Sequence, residues 1–90
     1  MGIHLTTKIT ESNIQDLDED AKIRVETIKQ VLIRKGDETE VARTKGKKGN
    51  ILLDAYLELL SENGLDLKSY RAKILYRGND NYYKLIIERL

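Results

Sequence analysis

The run ILLDAYLELLSEN, residues 51–63, narrows most sharply what this 90-residue chain can become. Asn50 ahead of it suits a helix cap and Gly64 behind it suits a stop, so the spacing predicts a helix over Asn50–Asn63. Its apolar side chains form two stripes, Leu52/Tyr56/Leu59 and Leu53/Leu57/Leu60, wider than a helix lying on one surface requires. Such a helix is buried on more than one side. The chain has no cysteine, so no disulfide can substitute for burial; the cover must come from one small core or from a second copy of the chain.

The remaining periodicities say what that cover is. Residues 3–9 alternate Ile3, Leu5, Thr7 and Ile9 against His4, Thr6 and Lys8, which predicts a half-buried strand. Ser12 and Gln15 have the spacing of a capping box. Ile14, Leu17, Ala21, Val25, Ile28 and Leu32 then recur every three or four residues, which predicts an amphipathic helix. Arg34 and Lys35 complement the carbonyl end of that helix, and Gly36 can terminate it. ETEVARTK, residues 38–45, reads as a short polar strand. SYRAKILYRG and YYKLIIERL are β-rich runs separated by a Gly- and Asn-containing turn, the signature of a hairpin. The order β-α-β-α-β-β predicts an α+β fold: a two-layer sandwich with a four-stranded mixed sheet and two helices on one face, one domain over residues 1–90.

Composition removes several functions. Hydrophobic residues make up 40% and charged residues 34% of the chain, a globular mixture with a heavily charged surface. Without cysteine there is no thiolate nucleophile and no cysteine-ligated metal; a reducing, cytoplasmic setting fits. No secretory leader and no run of eighteen apolar residues is present, which predicts no membrane partner. Gly2 formally fits a myristoylation pattern that is short and common. His4 is the single histidine and stands without a second ligand, so neither a metal site nor a serine-type triad is expected. The chain therefore reads as a binding protein, with no enzyme activity, cofactor or small-molecule substrate expected.

The net charge of +1 conceals a segregation. Residues 11–20 carry five acids (Glu11, Asp16, Asp18, Glu19, Asp20) and no base, whereas residues 41–53 carry four bases (Arg43, Lys45, Lys47, Lys48) and no acid. Within Arg43-Thr-Lys-Gly-Lys-Lys-Gly-Asn50, Gly46 and Gly49 permit close backbone approach, the first amides of the following helix are free donors, and the lysines add positive charge. That arrangement suits phosphate. The Lys-Ser/Thr ending of a Walker loop is missing, and Gly46-Lys47-Lys48-Gly49 matches the GXXG loop of KH domains over four residues only. The alternative is a solvated connection between strand and helix. Arg71, Lys73 and Arg77 add charge on the hairpin. Its tyrosines, Tyr70, Tyr76, Tyr82 and Tyr83, either pack on neighbouring strands, the commoner case, or stack on bases.

The run VARTKGKKGNILLDAY resembles the signature of the Alba superfamily of DNA- and RNA-binding proteins. There a strand leads through a Lys-Ala-Arg-Gly-Arg-type loop into a helix. Lys45-Gly46-Lys47 falls on the family's Arg-Gly-Arg, Asn50 on its Ser/Asn, and Leu53-Asp54 on the following Val-Asp. The ending YYKLIIERL resembles the last strand of Alba and of the related stage V sporulation protein S. After the first strand, where the family has a basic Gly-Lys-Lys-Pro-Val-type loop, this chain has Thr10-Glu11-Ser12-Asn13. The resemblance implies a homodimer that binds DNA or RNA through the loop before the second helix and through the hairpin. Two other readings compete: a winged helix, with residues 37–50 as helix and turn, and a protein-interaction module that uses the apolar faces of the second helix and the acidic start of the first helix.

Overall fold

Two parallel neighbouring strands cannot be joined by a hairpin, so the chain between them must cross one face of the sheet, here as a helix. The computed structural model describes residues 6–90 and shows this arrangement once between neighbours, from the first strand to the second, while the second helix carries the chain from the second strand past one strand to the third. Strand β1 (Thr7–Ile9) leads through a single 3-10 turn (Ile14–Asp16) into helix α1 (Asp18–Val31), and β2 (Glu38–Lys45) leads into helix α2 (Gly49–Glu62). Strands β3 (Tyr70–Arg77) and β4 (Tyr82–Arg89) form the terminal hairpin. The sheet order is β1-β2-β4-β3; β1 is parallel to β2, and β4 runs antiparallel to both β2 and β3. The architecture is the expected α+β one, with both helices on one face. Gly2, His4 and the start of the expected first strand lie outside the described residues.

Alternation along the strands sorts their residues between the helix-covered face and the open one. Ile9, Ala42, Thr44, Leu85 and Ile87 are buried beneath the helices, while their neighbours Lys8, Arg43, Lys84 and Glu88 point to the other side. A bulge between Glu40 and Ala42 leaves Val41 as an extra residue, so Val41 and Ala42 are both buried in succession. This reconciles the polar sequence of β2 with a central position in the sheet. Because residues 38–45 are strand, the helix that a winged-helix reading needs there does not form.

Leu53, Tyr56 and Leu60 of α2 are fully buried, as are Ala21, Val25 and Ile28 of α1. Each large apolar side chain so buried contributes about 1.5–3 kcal/mol. The two stripes of α2 do not sort as expected, since the fully buried row takes Tyr56 from one and Leu53 and Leu60 from the other; Leu52, Leu57 and Leu59 are half-buried against the core, and α1 and the 3-10 turn lie along that helix. Between β1, α1 and α2 lies a polar clasp. Tyr56 OH donates to Asp20 Oδ2 at 2.6 Å, Thr7 Oγ1 donates to the same oxygen at 2.7 Å, and Arg24 NH2 donates to Thr7 Oγ1 at 2.9 Å. Burial, together with the Asp20 carboxylate, pushes the Tyr56 phenol up to about 12.

Three helix boundaries differ from those expected. No capping box forms at Ser12: Asn13 instead closes the turn after β1, accepting from the Thr10 amide and donating to the Lys8 carbonyl, and α1 begins only at Asp18. Asp18, Glu19 and Asp20 occupy its first turn, where the helix dipole favours acids. At its other end α1 stops at Val31. Gly36, at φ 93°, serves the turn into β2 and donates its amide to Arg89, so Arg34 and Lys35 do not lie in the last helical turn. Asn50 is the third correction. It lies inside the first turn of α2, which opens at Gly49 without a side-chain cap. Gly64, at φ 108°, does terminate α2 as expected. Among the described residues no helix is long and apolar enough to cross a membrane.

Candidate nucleic-acid interface

Where β2 ends, the chain turns sharply. Gly46 has φ 109°, a conformation that side chains resist, and its amide donates to Asn81 O at 3.1 Å. Asn81 belongs to the β3-β4 turn, so this bond joins the loop before α2 to the tip of the hairpin. Gly49 is buried for a different reason from the one its sequence context suggested. A Cβ there would land within the ring of Tyr83, so its smallness serves helix-sheet packing and not approach by a ligand. Asn50 is exposed beside it. A groove of about 300 Å³ opens at this corner, lined by Thr10, Glu11, Lys45, Gly46, Lys47, Lys48 and Leu52.

The lysines are not alone there. Lys48 Nζ lies 3.0 Å from Glu11 Oε1, so an acid from the β1-α1 loop partly neutralises a segment that has none of its own. That loop is braced by Asn13 and by the contact between Thr10 and Ser12 hydroxyls at 2.9 Å. Both members of the pair are well exposed, and such a pair contributes about 0.2–1 kcal/mol. Among the described residues Lys45, Lys47 and Arg77 enter no ion pair.

The hairpin divides the expected site in two. Across the open face Lys45 is in register with Tyr82, and Tyr82 with Arg77, so the last residue of β2 and one residue from each hairpin strand form one row over three strands. Arg71 and Lys73 share that face but sit toward its other end, about 20 Å from Arg77 for Arg71 at strand spacing. They are engaged with acids. Lys73 reaches Glu38 at 3.1 Å and Glu88 at 3.5 Å, while Arg71 is 3.9 Å from Glu88. The hydrogen bond to Glu38, with the charges of Glu38 and Glu88, pushes Lys73 above the ordinary lysine range. Of the ten residues expected to contact nucleic acid, Lys45, Gly46, Lys47, Lys48, Gly49, Asn50 and Arg77 therefore converge at one end, with Arg43 one step along β2, and Arg71 and Lys73 do not join them.

Arg43 donates from Nε to Glu40 Oε2 at 2.8 Å, which raises the guanidinium's pKa further. Burial pushes Glu40 up, but hydrogen bonds from Arg43 and Thr6 and the charges of Arg43 and Lys84 outweigh it and leave the carboxyl below its usual range. Lys84 Nζ stands 3.6 Å from Glu40. Sequence reasoning passed over Glu11, Lys8 and Lys84. Strand alternation places Lys8 and Lys84 on the open face; nothing local to the 41–53 segment announces Glu11. Among the described residues no group of three or more His, Cys, Asp or Glu is placed to hold a metal ion. No protein-family model matches this chain, and neither the curated proteins nor the solved structures contain a significant match to it.

Proposed function

We propose that this chain binds nucleic acid, DNA or RNA, by its phosphate backbone, at the end of the molecule where the loop before α2 meets the hairpin tip. The observation that carries the reading is the junction itself. The Gly46-Asn81 bond and the Lys45-Tyr82-Arg77 row bring together cations that are far apart in sequence, around a groove at the amino end of a 14-residue helix. The resemblance of the 41–56 segment to the Alba superfamily points the same way. A homodimer is part of the proposal. Its support is the flank of the sandwich at β3, where Leu57, Ala72 and Ile74 are only half-buried and Tyr76 is 54% exposed. The protein-interaction reading, which the sequence places on α2 and the acidic start of α1, is favoured by a different apolar surface, on α1, where Ile23 and Val31 are 61% and 50% exposed.

Joint replacement of Lys45, Lys47 and Lys48 by alanine tests the reading. Affinity should fall on all sequences, and each lost phosphate contact should reduce the slope of log affinity against log salt by about 0.9 on duplex DNA or about 0.7 on a single strand. The companion variant Arg71→Ala/Lys73→Ala should leave the slope unchanged, since those cations serve Glu38 and Glu88. An unchanged affinity and slope in the folded triple variant means that the loop is solvated surface and the proposal is wrong.

A further inference from the structure

The helices cover one face of the sheet and leave the other open, and the open face has a feature that phosphate binding alone does not use. Tyr70, Tyr76 and Tyr83 lie on the covered face by strand alternation. Tyr76 and Tyr83 pack against each other with ring centroids 4.7 Å apart, and Tyr70 lies beneath the Arg89 guanidinium at 5.3 Å. Tyr82 has the opposite parity. It is the one tyrosine among the described residues on the open face. Lys45 Nζ is 5.6 Å and the Arg43 guanidinium carbon 6.0 Å from its ring centroid, and Arg77 is its partner on the next strand. The acids of this face that pair with Arg71 and Lys73, Glu38 and Glu88, stand at the far end of the sheet. An aromatic ring on an open sheet, fringed by cations on both neighbouring strands, is complementary to a base with a phosphate on either side.

We infer that Tyr82 is a stacking platform for a single-stranded nucleic acid that crosses the open sheet face toward the groove at Lys47 and Lys48. A base can lie on an aromatic ring only when its own face is free. Inside a duplex both faces are covered by neighbouring bases, so a duplex meets the cations of this face but not the ring. Lys45 and Arg77 sit one strand to each side of Tyr82, about 10 Å apart across β4, which spaces them for phosphates that bracket the stacked base. The inference rests on the phosphate-binding reading and narrows it to a substrate class.

The test uses the full chain, fluorescence anisotropy, a labelled thymidine or uridine oligonucleotide of about 12 nucleotides and a labelled duplex. Tyr82→Leu should weaken single-strand binding by about 5- to 150-fold, the range for loss of one aromatic-base stack, without changing the salt slope. Tyr82→Phe keeps the ring and should bind as the parent does. Duplex affinity should be the same in all three proteins. Lys47→Ala/Lys48→Ala, with the ring intact, should lose salt slope on both nucleic acids. If folded Tyr82→Leu binds the single strand as the parent does while the lysine variant loses slope, the platform is refuted and the phosphate site stands. Equal losses on single strand and duplex in Tyr82→Leu refute it as well. If the parent binds neither nucleic acid in a salt-dependent way, both readings fall. The thymidine and uridine arms separate a preference for DNA from one for RNA.

Discussion

Tyr56→Phe removes one hydroxyl from the buried clasp and leaves the ring, so it isolates the energy of a hydrogen bond to a carboxylate. In the folded chain Asp20 Oδ2 accepts from Tyr56 at 2.6 Å and from Thr7 at 2.7 Å; the variant keeps only the second. A hydrogen bond to a charged group contributes about 1.5–3 kcal/mol, and little cavity is created. That is a large fraction of the roughly 5–15 kcal/mol that holds a domain together, and 2 kcal/mol corresponds to a fall in Tm of about 8–16 °C at this size. The deficit depends on pH in a defined direction. Tyr56 titrates at about 12 when folded and near the ordinary tyrosine value of about 10 when unfolded. A raised folded value means that the stabilisation is complete below pH ~10 and is lost as pH rises toward ~12. Over those two units, at about 1.4 kcal/mol each, the parent loses on the order of 3 kcal/mol that the phenylalanine variant does not. Urea unfolding of both proteins, followed by circular dichroism from pH 7 to pH 11.5, reads the difference while lysine titration cancels between them. The expected gap is about 2 kcal/mol at pH 7, closing above pH 10. A gap below about 0.5 kcal/mol at pH 7, or one that persists undiminished into the alkaline range, refutes the assignment of the clasp.

Glu11→Gln releases Lys48 from its partner and removes a negative charge from the groove, so affinity for nucleic acid should rise by up to about fivefold at low salt while unfolding shifts by no more than about 1 kcal/mol; titration against a labelled oligonucleotide checks it, and no rise refutes the competition. Light scattering at micromolar concentration should give twice the monomer mass of 10.4 kDa, and a clean monomer removes the dimer from the proposal.

The legible parts of the fold are those where one local rule acts without competition. Residues 38–45 were readable as strand, and the α2 bounds to within a residue, because glycines at 46, 49 and 64 punctuate strong periodicities. The start of α1 was not, because Ser12-x-x-Gln15 offers a helix cap while Asn13 can bond back to Lys8 and Thr10, and the turn closing β1 won. Gly36 and Asn50 carried the same ambiguity: each suits a helix end, and tertiary contacts placed each elsewhere. The two stripes of α2 showed that it is buried on more than one side but not how its residues divide: Leu53, Tyr56 and Leu60 are fully buried and Leu52, Leu57 and Leu59 half-buried. In the site, charge was legible and pairing was not. Glu11 meets Lys48 only because the β1-α1 turn and the loop before α2 meet at one corner, and Tyr82 differs from Tyr76 and Tyr83 only by strand parity and hairpin register.

A net charge of +1 is small for a protein proposed to bind a polyanion, and the fold explains why the sum misleads. Asp18, Glu19 and Asp20 are placed at the positive end of α1, and Glu38 and Glu88 at the end of the sheet remote from the loop. From Glu38 to Lys45 along β2 is about 23 Å at strand spacing. The Debye length at physiological ionic strength is about 8 Å, so the far acids are screened almost entirely from a phosphate lying against Lys45 or Arg77. What that phosphate meets is the local set, in which Lys45, Lys47 and Arg77 stand unpaired among the described residues, Lys48 is half-committed to Glu11, Glu40 is already held by Arg43 and Lys84, and Asp80 in the hairpin turn subtracts one charge. Lower ionic strength lengthens the reach of the distant acids as well as of the near cations. The measured salt dependence therefore reports the loop and hairpin tip most cleanly near physiological salt, where only charges within about 8 Å still count.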